Sequence, residues 1–257
     1  MKLKILICVV LIVSIFCSVC GCTESFSEYI ESLDTYKKDG VTYERHYNND
    51  GEYFYYVAHI SSTGDNSPLY IPDEIDGISV TGIGHSALMM NYSATISGVE
   101  KVYFPWSISY SPQRNIEYTS EVKYIVSAST TTLIDEHYYP TFVIPYSSFV
   151  EYEKMVDNKE NIIPANVSYL FNYADSPNEG YFFIDLLEES GKLNKLPYDP
   201  KREEYIFDGW YKETECINEW NFDTDIATIE YDENGERIYE EICLYAKWIK
   251  IRGQSQF

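Results

Sequence analysis

The sequence is poor in histidine and lacks the short motifs that mark common enzyme classes. Four histidines occur among 257 residues, and none has a cysteine, an aspartate or a second histidine at the spacing of a metal site or a catalytic triad. The nucleotide-binding, serine-hydrolase and zinc-protease patterns GxxxxGKS/T, GxGxxG, GxSxG and HExxH do not occur. The sequence therefore predicts a protein that is not an enzyme, with no catalytic residues, no cofactor and no metal site.

Basic residues are also scarce. The chain has 19 Lys and Arg against 41 Asp and Glu, a formal net charge of −22. Lys2 and Lys4 lie in a segment that we expect to be removed, which would bring the charge to about −24. Such a surface repels phosphate backbones and anionic lipid headgroups, so the charge argues against nucleic acid as a partner and leaves cationic partners open.

Aromatic residues, in contrast, are abundant. They make up 16% of the chain, with 26 tyrosines, and hydrophobic residues make up 45%. Disordered chains have low hydrophobicity and few aromatic residues, so this composition predicts a folded protein. Tyrosine favours strands and combines an apolar ring with a polar hydroxyl, so we expect a β-rich fold with many half-buried rings.

The amino terminus has the organisation of an export signal. A basic start, Met1–Lys4, is followed by an apolar run over Ile5–Phe16 and by small residues up to Gly21. The apolar run is shorter than the roughly 20 residues that span a membrane as a helix. This order of basic, apolar and small zones predicts a signal peptide over residues 1–21. A short membrane anchor or a buried strand is the alternative.

A cysteine directly follows the predicted signal peptide. The residues Val19-Cys20-Gly21-Cys22 resemble a bacterial lipobox, with an aliphatic residue first, a small residue third and the acceptor cysteine last. The resemblance implies that Cys22 carries a thioether-linked diacylglycerol, and Cys20 is a second candidate acceptor. Two or three acyl chains give stable anchoring. We therefore expect a protein of the cell envelope, lipid-anchored to the outer face of the membrane and exposed outside the cell.

Two cysteines remain in the exported part of the chain, Cys216 and Cys243. An exported protein can form disulfides, so a bridge between these two residues is one prediction. Two buried free thiols are the alternative, because the sequence does not show whether the two Cα atoms come close enough for a bridge. Their spacing excludes a CxxC metal or redox site.

The segment after the predicted anchor has two interpretations. Over residues 25–39, apolar residues recur every three or four positions, which predicts a short amphipathic helix. The alternative is a spacer over residues 22–40 that holds the protein off the membrane. Two β-type runs follow, Val41–Tyr47 and Glu52–Ile60. The polar residues and glycine between these runs predict a hairpin.

A weak internal repeat runs through the next part of the chain. Short apolar stretches end in proline at Ile71-Pro72, Phe104-Pro105 and Ile144-Pro145, and Lys123–Val126 is a version without proline. With Ile71, Phe104, Ile125 and Ile144 as the common position, the steps are 33, 21 and 19 residues, close to the range of stacked repeats. Each repeat would add one strand to a shared ladder. Proline would end every strand at the same height because it has no amide to donate.

Part of this region resembles the BspA-like leucine-rich repeat. The phrase Ile71–Leu88 contains a strand ending in proline, a glycine-containing bend, a Val-Thr strand, and an Ile-Gly pair before a short helix near Ala87-Leu88. The stretch Thr141–Pro164, in which a helix opens at Ile144–Glu153, is similar to the closing unit of that family. The resemblance covers about residues 41–165 and implies a short, irregular leucine-rich-repeat solenoid.

From Val167 the pattern changes to two strands, Val167–Tyr173 and Tyr181–Leu186. The phrases YIFDGWY, WNFDTD and LYAKW that follow resemble the Listeria/Bacteroides repeat, the B-repeat of internalins, over about residues 166–250. That resemblance implies a small β-grasp-like domain, with residues 251–257 as a tail. Six rings spaced along its strands are predicted to fill its core, with a sugar-stacking platform as the alternative: Phe207, Trp210, Trp220, Phe222, Tyr245 and Trp248.

Three details of this C-terminal region lead to further expectations. Gly209, between Asp208 and Trp210, suits a bend or a close backbone approach that a Cβ would block. The first turn, residues 174–180, is longer than the family's. The insertion at residues 231–237 is predicted to be an extended hairpin tip.

Together these features predict an α+β, mostly β protein, with a leucine-rich-repeat solenoid followed by a β-grasp-like domain. Both resemblances are to modules of bacterial surface proteins, so we expect adhesion to, or binding of, an extracellular protein or glycan. This function follows from analogy and from no particular site. The alternatives are an envelope hydrolase with a carboxylate pair of raised pKa and a structural spacer without its own ligand.

Overall fold

The computed structural model describes residues 35–48, 50–61, 67–84, 94–109, 116–119, 121–130, 140–152 and 161–251. The predicted signal peptide, the lipidation site Cys22 and the helix predicted near Ala87-Leu88 lie outside the described residues. Residues 36–257 belong to one compact unit. Within the described ranges the fold is mostly β, and none of their helices is long and apolar enough to cross a membrane.

The described residues contain sixteen strands in three sheets and one short α-helix. In chain order they are β1 (Thr35–Lys38), β2 (Val41–Tyr47), β3 (Tyr53–Ile60), β4 (Leu69–Tyr70), β5 (Glu74–Ile75), β6 (Ile78–Ile83), β7 (Ala94–Ile96), β8 (Lys101–Phe104), β9 (Ile116–Tyr118), β10 (Tyr124–Ser127), β11 (Thr141–Ile144), α1 (Tyr146–Tyr152), β12 (Ile162–Pro164), β13 (Val167–Leu170), β14 (Tyr181–Asp185), β15 (Tyr205–Tyr211) and β16 (Ile242–Lys250).

Two hairpins begin the described chain. The predicted hairpin of β2 and β3 is confirmed, and its turn is held by Asn48, whose Oδ1 accepts the backbone amides of Asp50 and Glu52 at 2.9 and 3.0 Å. Ahead of it, β1 pairs with β2. The helix predicted over residues 25–39 is therefore wrong from Thr35 onward, and residues 25–34 lie outside the described part of the chain.

The Asp39-Gly40 pair explains why this segment is a strand. Both residues have positive φ, 50° and 79°, the conformation that a two-residue hairpin turn needs. The ring of Tyr36 then packs 6.4 Å from that of Tyr43 and 6.0 Å from that of Tyr55, measured between centroids. Cross-strand contacts of this kind stabilise a sheet, and they outweigh the helical spacing of the apolar residues.

The first sheet has the central order β1-β2-β3-β6-β5, and β7 and β9 extend it beside β3. The β2–β3 pair is antiparallel, whereas β3 runs parallel to both β6 and β7, and β7 runs parallel to β9. The second sheet, which we call the parallel sheet, has the order β12-β11-β10-β8-β4. Every neighbouring pair in it is parallel.

The parallel sheet contains the predicted repeat with one change of register. Tyr70, Tyr103, Val126, Val143 and Ile163 lie at one level across its five strands, so successive steps are 33, 23, 17 and 20 residues. The prolines after β4, β8 and β11 close their strands at a common height, as expected. Ile125, however, pairs with Val102 and not with Phe104, so the predicted alignment was wrong by two residues at this strand.

This error has a physical cause. Without a proline to mark its end, β10 continues to Ser127, which is the true partner of Phe104. A slip of two residues leaves each side chain on the same face of the sheet, so the apolar pattern does not reveal it.

Both faces of the parallel sheet are buried. One face contributes to a core shared with the first sheet, where Val102, Phe104 and Ile125 are at most 2% exposed. The opposite face contributes Tyr103, Val126 and Val143 to a second core, which is shared with the C-terminal strands. Strands buried on both sides read as continuous apolar runs, which is why the repeat phrases contain three or four apolar residues in succession.

The third sheet, which we call the C-terminal sheet, has the order β14-β13-β16-β15. Its two central strands, β13 and β16, are parallel, and each pairs antiparallel with its outer neighbour. The largest buried rings of this region are Tyr169, Phe171 and Phe182, which precede the six rings predicted as its core. Of those six, Trp210 and Trp220 are buried, whereas Trp220 and Phe222 lie outside the strands.

A polar cluster fastens the C-terminal sheet to the parallel sheet. Oδ1 of Asp185, at the end of β14, accepts hydrogen bonds from Lys101 Nζ and Tyr103 Oη, each at 2.8 Å. The ring of Tyr103 stacks between Tyr70 and Phe183, with centroids 4.5 and 5.1 Å away. The contact therefore combines an ion pair with ring packing.

The long first turn takes part in the same contact. Asn178 has φ 54°, and its side chain donates to Ala128 O at 2.6 Å and accepts from Thr130 N at 2.7 Å. The extra length of this turn therefore bridges the two sheets. The predicted hairpin tip at residues 231–237 is confirmed by a Tyr231–Arg237 bridge, and Asp232 Oδ1 accepts two backbone amides inside it.

Candidate binding cleft

The candidate site is built around a bulge in β15, the edge strand of the C-terminal sheet. The pairing of β15 with β16 shifts register between Phe207 and Trp210, so β15 contains an extra residue there. Gly209 lies at this point with φ +102°, and a Cβ on it would lie 3.1 Å from Oε1 of Glu219. The close approach expected at Gly209 is thus present, and the neighbour is a carboxylate.

The segment 218–220 pairs with the free edge of β15 and brings two further side chains to the bulge. The amide of Lys212 donates to Asn218 O at 2.9 Å, and the amide of Trp220 donates to Trp210 O at 2.7 Å. Tyr211 and Glu219 form an isolated antiparallel bridge between these bonds. Backbone hydrogen bonding therefore fixes the positions of Glu219 and Trp220, and the same segment covers part of an otherwise unpaired edge.

A cleft of about 380 Å³ lies next to the bulge. Its walls combine four aromatic rings, three carboxylates and one ammonium group. The lining residues are Lys195, Leu196, Asp199, Phe207, Asp208, Gly209, Trp210, Glu219, Trp220 and Phe222. Pockets for small ligands typically have volumes of about 300 to 1,000 Å³ and combine apolar walls with a few polar groups, so the cleft is of a size and composition suited to binding.

The rings of the cleft are held by the core beneath them. Trp210 is 4% exposed, and its ring centroid lies 5.0 Å from that of Tyr169 and 5.1 Å from that of Phe207. Phe207 in turn lies 5.9 Å from Trp248. Phe207 and Phe222 are half-buried. The same rings therefore serve the predicted core and line the cleft, so the two interpretations of these rings do not exclude each other.

The polar groups of the cleft differ in their partners. The carboxylate of Asp208 pairs with Lys247 at 3.1 Å. In the described part of the chain, the side chains of Lys195, Asp199 and Glu219 make neither an ion pair nor a hydrogen bond, and the buried Nε1 of Trp220 has no hydrogen-bond partner. Two of the three carboxylates are thus exposed at the rim without a cation beside them.

Sequence reasoning identified the rings of the cleft but not its charged rim. Asp199, Glu219 and Lys195 are isolated charged residues in loops, and carboxylates are so frequent in this chain that none stood out. The positive φ of Gly209, which the sequence did suggest, is the feature that marks the location. Tyr245 and Trp248 do not line the cleft.

Both exported cysteines are free thiols in the structure. Cys216 Sγ lies 3.3 Å from Asn172 Nδ2 and 3.8 Å from Ala246 O. Cys243 lies three residues before Ala246 on β16, about 10 Å away along an extended strand, which is beyond the Cα separation of a disulfide. Burial raises the pKa of the Cys243 thiol to about 11, so this thiol is protonated at neutral pH and is a poor nucleophile.

A carboxyl group of raised pKa lies elsewhere, in the bend after Pro72. Burial raises the pKa of Asp73 above its usual value, although its carboxylate accepts a hydrogen bond from Trp106 Nε1 at 3.2 Å. Asp73 is near Lys201, whose ammonium group pairs with Glu74. This cluster joins the two halves of the described chain and does not belong to the cleft.

Residues 185–247 match the family model of the Listeria-Bacteroides repeat domain. This confirms the predicted repeat over that range, which is about a quarter of the chain and contains every residue that lines the cleft. No curated protein matches the chain. The repeat is typical of extracellular or surface proteins, and the C-terminal part of this chain is therefore similar to a surface-type domain.

Proposed function

We propose that this chain is a lipid-anchored cell-surface protein that binds an extracellular macromolecule through the cleft of its C-terminal region. The observation that carries the proposal is the coincidence of the cleft with the matched repeat, residues 185–247. In this proposal Cys22 carries the lipid, and the chain acts by binding and not by catalysis.

The architecture supports a division of labour within the molecule. We propose that the stacked strands of the parallel sheet, whose steps of 17 to 33 residues lie in or near the range of repeat proteins, form a short solenoid of leucine-rich-repeat type. The mixed order of the C-terminal sheet, with a parallel central pair, is compatible with a β-grasp-like domain.

Burial argues that the ligand does not bind to a face of the parallel sheet. One face packs on the first sheet and the other on the C-terminal sheet. Neither face is available to a partner without separating packed rings such as Tyr70 and Tyr103. The cleft, in contrast, is open and has unpaired carboxylates at its rim, so it is the better candidate for ligand contact.

Intact-mass analysis of the protein extracted from its native membrane tests the anchor. The expected result is a mature chain that begins at Cys22 and carries added acyl mass, both of which are lost in Cys22→Ala. Cys20→Ala is the matched control, because it removes the second candidate acceptor and should leave the mass of the mature lipoprotein unchanged. An uncut or unlipidated wild-type chain would contradict the proposal.

A further inference from the structure

We infer that the cleft binds a basic side chain, arginine or lysine, presented by an extracellular protein. This inference names the partner chemistry of the site and therefore rests on the proposed function. It is argued from the charges of the cleft, from its rings, and from the way in which this chain holds its own cations.

The charges of the cleft favour a cation. Three carboxylates, those of Asp199, Asp208 and Glu219, line it against the one ammonium group of Lys195. Lys247 pairs with Asp208 from outside the cleft, which leaves two carboxylates without an ion pair among the described residues. The whole chain also has a formal charge of −22, so its field attracts positively charged segments toward the surface.

The rings of the cleft supply the second half of a cation site. Phe207 and Phe222 are half-buried beside the carboxylates, and Trp210 and Trp220 complete the floor. The face of an aromatic ring attracts a cation at distances up to about 6 Å, most strongly for tryptophan. A guanidinium group stacks on such a ring while its N–H groups donate to carboxylates, so rings and acids act on the same ligand group.

The C-terminal region already holds its own cations in this way. Lys212 Nζ lies 5.5 Å from the ring centroid of Trp220 and 2.9 Å from Asp225. Lys247 Nζ lies 4.6 Å from the ring centroid of Tyr211 and 3.1 Å from Asp208. Each of these cations is placed between one ring and one carboxylate.

The cleft repeats this combination with no cation of the described chain in it. Phe207 and Phe222 provide the rings, and Asp199 and Glu219 provide the carboxylates. Among the described residues, no lysine or arginine lies over the ring of Phe207, Trp210 or Phe222. The site is therefore complete in its rings and acids and matches a cation supplied by a partner.

The test uses the full-length lipidated chain in detergent, labelled with ¹⁵N at its four tryptophans. Three pentapeptides of blocked glycine with a central arginine, lysine or citrulline are added while the indole N–H signals are recorded. Citrulline has nearly the shape of arginine without its charge. We expect saturable shifts of the Trp220 and Trp210 signals with the arginine or lysine peptide, and none with the citrulline peptide. The comparison of arginine with lysine identifies which cation the cleft prefers.

A pair of double variants completes the design. Asp199→Asn with Glu219→Gln should weaken binding of the basic peptide about tenfold, because two charge contacts are lost. Glu233→Gln with Glu236→Gln changes the net charge equally at the distant hairpin tip and should leave binding unchanged. Equal binding of the citrulline peptide, or equal losses in both double variants, would overturn the inference.

Two further outcomes separate this inference from the proposed function. Indole shifts caused by an N-acetylglucosamine tetramer and not by the basic peptides would make the cleft a glycan site, which overturns the inference and leaves a surface-binding protein. An absence of shifts with every probe would also overturn it. The mass analysis of the Cys22 anchor does not depend on either result.

Discussion

The parallel sheet and the C-terminal sheet use similar apolar sequences for different purposes. In the parallel sheet both faces are covered, so residues such as Val102 and Tyr103, which point in opposite directions, are both buried. In the C-terminal sheet, the edge strand β15 contains a bulge at Gly209 and leaves an open cleft beside it. The difference indicates that the parallel sheet is a scaffold and that ligand contact belongs to the irregular edge of the C-terminal sheet.

A phenylalanine from each region provides the strongest test of this difference. Phe104, in the parallel sheet, is 2% exposed, and Phe104→Ala should lower the free energy of unfolding by about 3 to 5 kcal/mol because it leaves a cavity in a packed core. Phe222→Ala, at the half-buried wall of the cleft, should cost less than about 2 kcal/mol and should weaken binding of the basic peptide. Urea unfolding measures both variants, and a larger loss from Phe222→Ala would reverse the assignment of scaffold and site.

The contact between the two regions should be the next most sensitive feature. Asp185→Asn removes the charge that pairs with Lys101 and weakens the bond from Tyr103. We expect a loss of about 1.5 to 3 kcal/mol, since a charge-assisted hydrogen bond in a partly buried site is lost. Glu100→Gln, which removes the exposed partner of Lys123, is the control and should cost less than about 1 kcal/mol. Equal effects of the two variants would show that Asp185 contributes no more than a surface ion pair.

The bulge separates backbone strain from cleft geometry. Gly209→Ala should cost about 1 to 2 kcal/mol because alanine disfavours φ +102°, and its Cβ would displace the carboxylate of Glu219 and so weaken peptide binding. Gly51→Ala has a similar φ, +83°, with no neighbour within 4 Å of the added Cβ. It should lose similar stability and keep full binding. Unchanged binding in Gly209→Ala would remove the bulge from the account.

The smallest expected effect concerns Asp73, where the two regions meet. Its pKa is raised by burial, so its contribution to stability is present at low pH and is lost as the pH rises through the raised pKa. Asp73→Asn keeps an acceptor for Trp106 and removes the buried charge. Relative to the wild type, it should gain up to about 1 kcal/mol of unfolding free energy at pH 7 and nothing below about pH 4. The exposed neighbour Glu74→Gln should show no such gain, and a destabilised Asp73→Asn at pH 7 would contradict the sign.

The sequence predicted the parts of the fold that depend on periodic patterns and on proline. The β2–β3 hairpin, the strands that end at Pro72, Pro105 and Pro145, and the matched repeat all follow from local residues. The strand at Thr35–Lys38 was missed because a helical spacing of apolar residues concealed the Asp-Gly turn that decides its structure. The register at β10 was missed because a two-residue shift preserves the pattern of faces.

The cleft could be predicted only in part, for a different reason. Its rings stood out because large aromatic residues are rare enough to be noticed, and Gly209 was recognised as a special backbone position. The rim depends on Asp199 and Glu219, which are distant in sequence and meet only because residues 218–220 pair with the edge of β15. Such a long-range contact has no local signal. The burial of both faces of the parallel sheet also requires the third layer, which no single repeat contains.

Hydrogen exchange followed by mass spectrometry, with and without the arginine peptide, tests the central claim most directly. We expect the peptide to slow exchange in residues 195–222, which line the cleft, and to leave β8, β10 and β11 of the parallel sheet unchanged. This result would place ligand contact on the C-terminal edge and assign the parallel sheet to the scaffold. Slower exchange in the parallel sheet, with none in residues 195–222, would contradict the account.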